Sequence, residues 1–460
     1  MPVIDPAVPG DRPDPDELLP PDVLSSWTER VTAAAGEPCG ALFSAAMRRT
    51  LDRTLHRLPD GTVFVITGDI PAMWLRDSAT QMRPYLTLLG KEPSLTALAD
   101  MIAGVVRRQM AFLTHDAYAN AFNAAPNGNC HEPRDSFGDG RPHDPWIWER
   151  KYEIDSLCFP FQLADQLTSV TGRTDHLDDE TFGLAARAAV GTLDLEIEHE
   201  KNSIYRFVRP APKGLGLVQK AAPHWHDMLP RKGLGSPVAV TGMTWSGFRP
   251  SDDPCEYGYL VPSNLMAAHT LDRLCALAKL TPTLGDAVPA IAAKLAGTLR
   301  AGIAEHGVID HAEHGKIWAY EVDGLGNVLA ADDANMPSLL SAPLVAGIDT
   351  SDPMYRRTRE FVLSADNPYY VSGRLASGAG SPHTPSGYVW PIALAVAGLT
   401  ADDPGEALHA LQTIAATTAG TGSVHESFDV NDDRRFTRDW FSWADSMFCE
   451  LALSVASGQP

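Results

Sequence analysis

Apolar residues recur at three- and four-residue spacing in one stretch after another along this chain, and that period confines most of it to helices that bury one face. The spacing predicts twelve helices, over 41–57, 74–89, 93–114, 155–171, 180–200, 258–279, 283–304, 334–346, 353–364, 386–398, 404–417 and 440–456. Alternating strand patterns are short, as in GTVFVITGD at 61–69 and KIWAYEVDG at 316–324, where Gly and Asp flank β-branched and aromatic residues. The fold class is therefore mainly α, with short β elements in loops. Twelve helices can pair into six hairpins and close into an α/α toroid whose loops form a pocket at one end. A helical array would give the same count, and no repeat of fixed period marks a solenoid.

Residues 1–21, MPVIDPAVPGDRPDPDELLPP, are rich in Pro and Asp and poor in apolar groups, so an extended or disordered lead is expected there, followed by a single domain over 22–460. The lead lacks the basic start and apolar run of a secretory signal, and nothing later reads as transmembrane in length, which points to a cytoplasmic protein without membrane contact. A formal net charge of -21 repels nucleic acid and anionic membrane surfaces and suits a neutral substrate, although an acidic surface also simply keeps a protein in solution. The six cysteines, Cys39, Cys130, Cys158, Cys255, Cys275 and Cys449, contain no CxxC pair, so neither a zinc knuckle nor a disulfide framework is indicated. Oligomeric state leaves no trace in the sequence.

Polar and aromatic residues that do not fit helix stripes gather between the predicted helices in five clusters. In TGDIPAMWLRDSATQMRPYL, 67–86, Asp69, Trp74, Arg76 and Asp77 crowd a helix start. An Arg fork and Asp acceptors beside an indole match the hydroxyl edge and C–H faces of a sugar, and they equally suit a helix cap with a buried ion pair. RPHDPWIWERKYEIDSLCFP, 141–160, holds Trp146, Trp148, Glu153 and Asp155, where Asp155 also suits a cap and the indoles a core. TGMTWSGFRPSDDPCEYGYLVPSN, 241–264, sets Asp252 and Asp253 in a loop with Trp245, Phe248, Arg249, Tyr257 and Tyr259, too many aromatics for a bland surface turn. DDANMPSLL, 332–340, with Asn335, and SGRLASGAGSPHTPSGYVWP, 372–391, with His383 and Trp390, form shaped loops in which His383 can give or take a hydroxyl hydrogen bond. In SVHESFDVNDDRRFTRDWFSWADSMFCEL, 423–451, His425 and Glu426 precede Trp440, Phe441 and Trp443, and partial burial there would tune a carboxylate.

The blocks GDIPAMWLRDSATQMRPYL, KYEIDSLCFP, TWSGFRPSDD, DDANMPSLL, HESF and FTRDWFSWADSMFCEL run in order over nearly the whole chain after the lead, and together the sequence resembles glycoside hydrolase family 125. The resemblance implies an (α/α)6 barrel over 22–460 and exo-acting removal of non-reducing terminal α-mannose, chiefly α-1,6-linked, from mannoside oligosaccharides or N-glycan fragments. It also implies inversion at the anomeric carbon, with no metal or other cofactor. Its general base matches Glu426 in His-Glu-Ser-Phe. Its general acid matches the Ser-Asp-Asp stretch, where Asp253 is favoured and Asp252 remains the alternative. Asp69, Trp74, Arg76, Asp77, Asp155, Trp245, Arg249, Asp252, Asn335, His383 and His425 are then expected around the sugar. In inversion one carboxyl protonates the leaving oxygen while the other activates water across a gap of roughly 6.5–9.5 Å, and two acids from distant loops satisfy that need.

Three rivals remain at this level. A glucoamylase-like or trehalase-like inverting hydrolase would share the barrel. A carbohydrate-binding protein would keep the pocket without turnover, which the retained Asp253 and Glu426 argue against. A metal hydrolase is suggested only by PHWHD, 223–227, and no ligand spacing such as HExxH supports it.

Overall fold

The fold was obtained as a computed structural model that describes residues 8–138, 143–210 and 228–458. The 223–227 stretch lies outside the described residues. Helical segments form in all twelve expected stretches, one of them cut to four residues, and in chain order they alternate between an outer and an inner ring. The outer members are Glu37–Arg53, Thr96–His115, Glu180–Leu195, Ala287–His306, Pro353–Val362 and Pro404–Ala416. The inner members are 75–91, Ile154–Thr171, Val261–Leu277, Ala342–Val345, Pro391–Leu399 and Ser442–Ala456. Within the inner ring, 75–91 packs on Ile154–Thr171, that helix on Val261–Leu277, and Val261–Leu277 on Ala342–Val345. On the other side Pro391–Leu399 packs on Ser442–Ala456, which returns to 75–91. The architecture is an (α/α)6 barrel.

The inner helices bury more than a stripe. Ile154–Thr171 buries Ile154 through Asp165 without a break, and PIALAVAGL at 391–399 is apolar on every side, as a helix enclosed by others requires. Outer helices keep one buried face. Ala287–His306 is long and apolar enough to cross a bilayer, which the sequence reading did not anticipate. Here it packs on Val261–Leu277 and Glu180–Leu195 and buries Val288, Ala292, Leu295, Ala296 and Leu299.

Three expectations are corrected. The lead is not disordered from residue 8 onward: Asp11 and Arg57 exchange backbone hydrogen bonds of 3.0 and 2.8 Å, a helical turn forms at Pro15–Leu18, and Leu18 and Leu19 are buried. A further helix, Pro21–Ala35, packs outside the ring on Glu37–Arg53 and Ser442–Ala456. Its prolines stand where a missing N–H costs nothing, at the first helical positions. The 334–346 helix shrinks to Ala342–Val345, because the buried Asp332 carboxylate takes the Leu339 and Leu340 N–H groups at 2.8 and 3.0 Å and holds 332–340 as a loop. The 74–89 helix is divided into Leu75–Thr80 and Arg83–Lys91.

The short strands form where alternation indicated them. Val63–Val65 pairs antiparallel with Leu55–Arg57, Gly315–Trp318 with Val308–His311, and Glu321–Val322 with both Tyr259–Leu260 and Val328–Leu329.

One buried ion pair closes the ring where its last helix meets its first. Asp445, fully buried, receives Arg49 Nε and Nη2 at 2.8 to 3.0 Å, the Val424 N–H at 2.9 Å and Trp440 Nε1 at 3.0 Å. Removing one partner of such a pair strands the other charge. Asp445→Ala should therefore lower unfolding stability by about 3–5 kcal/mol in denaturant titration, and a loss below about 1 kcal/mol would contradict this account.

Candidate active site

Inner helices begin at one end of the barrel, and the segments leading into them converge there. Short strands aim several of them: Met73–Trp74 joins Ala121–Phe122 and Ile147–Glu149 in one sheet, and Tyr388–Val389 joins Ser427–Asp429 and Asp432–Thr437 in another. Together they enclose a cavity of about 220 Å³. Arg76 and Asp77 enter from the first inner helix, with Glu149 and Lys151 ahead of the second. Ser251 and Asp252 come from the loop before the third, Asn335 from the loop before the fourth, and His383 and Trp390 from the approach to the fifth. The segment leading into the sixth supplies Glu426, Arg438 and Phe441, and the sixth itself supplies Trp443.

The 249–257 loop is tightly fixed. Glu321 accepts from Arg249 Nε at 2.6 Å and from the Glu256 and Tyr257 N–H groups at 2.7 and 2.9 Å, while Ser251 Oγ donates to Asp333 at 2.8 Å. Within it Asp252 adopts a left-handed backbone, φ 67°, a conformation Asp tolerates better than most residues. Its carbonyl accepts from Lys151 Nζ at 2.7 Å, and its carboxyl lies 3.6 Å from Arg76 Nη2. Asp253 turns elsewhere. Its Oδ1 is 3.0 Å from His383 Nδ1, and it is not among the residues lining the cavity. Burial alone would lower the His383 pKa, but the hydrogen bond and charge of Asp253, with Glu426 and Asp252 beyond, raise it to about 9. His383 is thus a cation in the wall at neutral pH.

Arg76 gathers four acids while almost fully buried: Glu153 at 2.7 Å, Asp155 at 3.2 Å, Asp77 at 3.4 Å and Asp252 at 3.6 Å. Its guanidinium also lies 5.4 Å from the centre of the Trp443 ring, so cation and indole form one wall. Burial pushes the Asp77 carboxyl up to about 6 against the pull of Arg76, and the charge of Asp252 adds to the rise. Across the site Glu426 is 9% exposed, and its Oε1 lies 3.6 Å from Arg438 Nη1. Arg438 has φ 51°, is paired with Asp69 and covers the Phe441 ring at 4.2 Å. Several buried polar atoms of the lining have no hydrogen-bond partner among the described residues: Trp74 Nε1, Trp443 Nε1 and Asn335 Oδ1, together with Asp77 Oδ2 and Asp252 Oδ1, which face Arg76 at 3.4 and 3.6 Å. Buried groups of this kind are normally satisfied, so the cavity presents donors and acceptors to a polar ligand.

Of the residues expected around the sugar, Trp74, Arg76, Asp77, Asp252, Asn335, His383 and Glu426 line the cavity. The others do not line it. Asp69 holds Arg438, Asp155 holds Arg76, and Arg249 is bound to Glu321 and Tyr369. Trp245 is core, stacked on His199 at 3.6 Å, and His425 is stacked on Phe436 at 3.7 Å with both ring nitrogens facing carbonyls. Trp148 packs with Trp74 behind the wall. Lining residues that sequence reasoning did not single out include His131, Glu149, Lys151 and Arg438. The last three stand inside or beside the quoted blocks as charges among aromatics, which was the available signal.

Among solved structures, a bacterial glucoamylase complexed with acarbose has a TM-score of 0.50 at 11% identity, covering 95% of this chain and 58% of that one, a likeness of fold alone. Far nearer is a Streptococcus pneumoniae protein described as a metal-independent α-mannosidase, in a non-productive complex with α-1,6-mannobiose. It has a TM-score of 0.87 at 42% identity over 95% of this chain and 99% of that chain. The meiotically up-regulated gene 157 protein of Schizosaccharomyces pombe is 36% identical over 92% of this chain and 83% of its own length. With an acid-lined, indole-walled cavity on an (α/α)6 barrel, the protein is a glycoside hydrolase. Its residues 37–453 match the metal-independent α-mannosidases of family GH125, and the chain belongs to that family.

Proposed function

We propose that this α-mannosidase acts from chain ends, releasing one non-reducing α-1,6-linked mannose at a time with inversion, Asp252 serving as general acid and Glu426 as general base. The observation that carries the reading is that these two carboxyls share one small cavity with buried polar atoms that have no hydrogen-bond partner among the described residues. The cavity, of about 220 Å³, suits one sugar ring better than a chain. Asp77, Asn335 and the indole N–H groups of Trp74 and Trp443 then bind that ring's hydroxyls, and the indole faces cover its C–H groups.

The chemistry follows from two acids. Asp252 gives its proton to the glycosidic oxygen as the C1–O bond breaks, and Glu426 takes a proton from the water that attacks C1 on the other face. An α-linkage yields β-mannose and a shortened oligosaccharide with a free hydroxyl. The α-1,6 linkage is supported by the disaccharide held by the pneumococcal relative. Proton NMR of early α-1,6-mannobiose hydrolysis should show β-mannose before α-mannose. Initial α-mannose would refute inversion, and faster cleavage of α-glucosides would refute the sugar.

Neither carboxyl needs a metal to perform these steps. Dialysis against a chelator should leave kcat/KM within twofold of its starting value, and a loss restored by a divalent cation would contradict the two-acid scheme.

A further inference from the structure

Outside the cavity, three metal-ligating side chains meet at the tip of one hairpin. Val308–His311 and Gly315–Trp318 pair in the register that sets His311 opposite Gly315, and the turn between them brings His314 back beside His311. Gly315, at φ 70°, fits the left-handed position that closes such a turn. Asp366 reaches the same spot from the segment after Pro353–Val362, the outer helix on which Gly315–Trp318 packs. His314 Nε2 lies 2.9 Å from Asp366 Oδ2, and the His311 and His314 ring centres are 5.0 Å apart. One ligand atom from each of the three residues falls within 4.8 Å of the other two. The buried Phe361 ring gives both imidazoles an apolar seat, with centroids at 5.2 and 5.7 Å. None of the three lines the cavity that holds Asp252 and Glu426.

We propose that His311, His314 and Asp366 bind a divalent transition-metal ion of the zinc type, as a structural clip outside the catalytic site. Two imidazoles and a carboxylate, with water in the remaining position, are a donor set that zinc accepts and that the harder magnesium and calcium ions do not favour. Bonds of about 2.0–2.1 Å place neighbouring donors around a tetrahedral ion about 3.4 Å apart. The His314–Asp366 edge therefore opens slightly and the wider edges close, all within the span already present. His311 Nδ1 accepts the Glu313 and His314 N–H groups at 3.3 and 3.4 Å, long bonds in an exposed turn where water can replace the ring. The clip ties the hairpin to the residue before Asn367, whose side-chain amide accepts the Asp332 N–H at 3.1 Å and donates to the Asp332 carbonyl at 3.2 Å. Asp332 in turn holds the 332–340 loop from which Asn335 enters the cavity. The ion meets no substrate atom and supplies no step, so the clip is compatible with metal-independent hydrolysis.

The test uses the full chain without an affinity tag, stripped with a chelator and titrated with zinc chloride in a calorimeter. One equivalent should bind at zinc concentrations comparable with the protein's, and zinc should raise the unfolding temperature, as any ligand of the native state does. His311→Ala leaves the His314–Asp366 pair intact and so folds safely. It and Asp366→Asn should each weaken zinc binding by at least about tenfold, the least that even a lost supporting group costs a metal site, and each should remove the thermal effect. In both variants kcat/KM on an α-mannoside should stay within twofold of wild type, which separates the clip from the catalytic carboxyls. Failure of the wild type to take up zinc, uptake that both variants retain, or displacement of zinc by Mg²⁺ or Ca²⁺ at equal concentration overturns the proposal.

Discussion

Glu426→Gln is expected to lower kcat by about 10²–10⁴-fold while mannoside binding persists, because the amide fills the same space but cannot accept the proton of the attacking water. The wild-type carboxylate lies 3.6 Å from the guanidinium of Arg438, which is itself anchored to Asp69. The measurement is steady-state kinetics with isothermal titration of mannose or a mannoside inhibitor. If kcat fell by less than tenfold, Glu426 would not be the base. If binding disappeared along with turnover, its role would be to hold sugar.

The second large effect separates two neighbours in sequence. Asp252→Asn should cost about 10²–10⁴-fold in kcat on substrates with a poor leaving group, since no other lining carboxyl comes from the same loop. Asp253→Asn should cost less, acting through His383: without the Asp253 charge the imidazole loses its main hydrogen-bond partner, and its pKa falls from about 9. Activity of Asp253→Asn should then decline between neutral and alkaline pH, where wild-type His383 is still charged. Aryl mannosides with good leaving groups should rescue Asp252→Asn, as they need little protonation. Full turnover by Asp252→Asn with collapse in Asp253→Asn would reverse the two roles.

Adjacent aspartates show well what spacing can and cannot tell. Both carry the same chemistry, and the left-handed backbone at Asp252, which separates their directions, depends on a loop tied to Glu321 and Asp333 from distant segments. The same limit applies to tryptophans. Trp74, Trp245 and Trp443 all stand among loop charges, yet Trp245 is packed on His199 and the other two face the cavity. Helices were easier, because a buried stripe leaves a 3.6-residue repeat whatever its partner. The repeat fails for Pro21–Ala35, whose buried face is only Trp27, Val31 and Ala35, and it overreaches at 334–346, where a buried carboxylate captures backbone donors. The acid Glu153 was legible only as a charged residue beside an indole pair. Its ion pair with Arg76 joins two segments that no local pattern connects.

The order in which the ring is assembled has a consequence for synthesis. Asp252 and Glu426, the proposed acid and base, stand 174 residues apart, and the last inner helix, Ser442–Ala456, seals the circle against Glu37–Arg53 and 75–91. A growing chain therefore carries a half-open bowl of apolar helix faces until residue 445 reaches Arg49. Such a bowl is the kind of intermediate that attracts other chains. Catalytic competence and protection from aggregation should thus appear together, late, with the emergence of the final helix, rather than accumulating hairpin by hairpin.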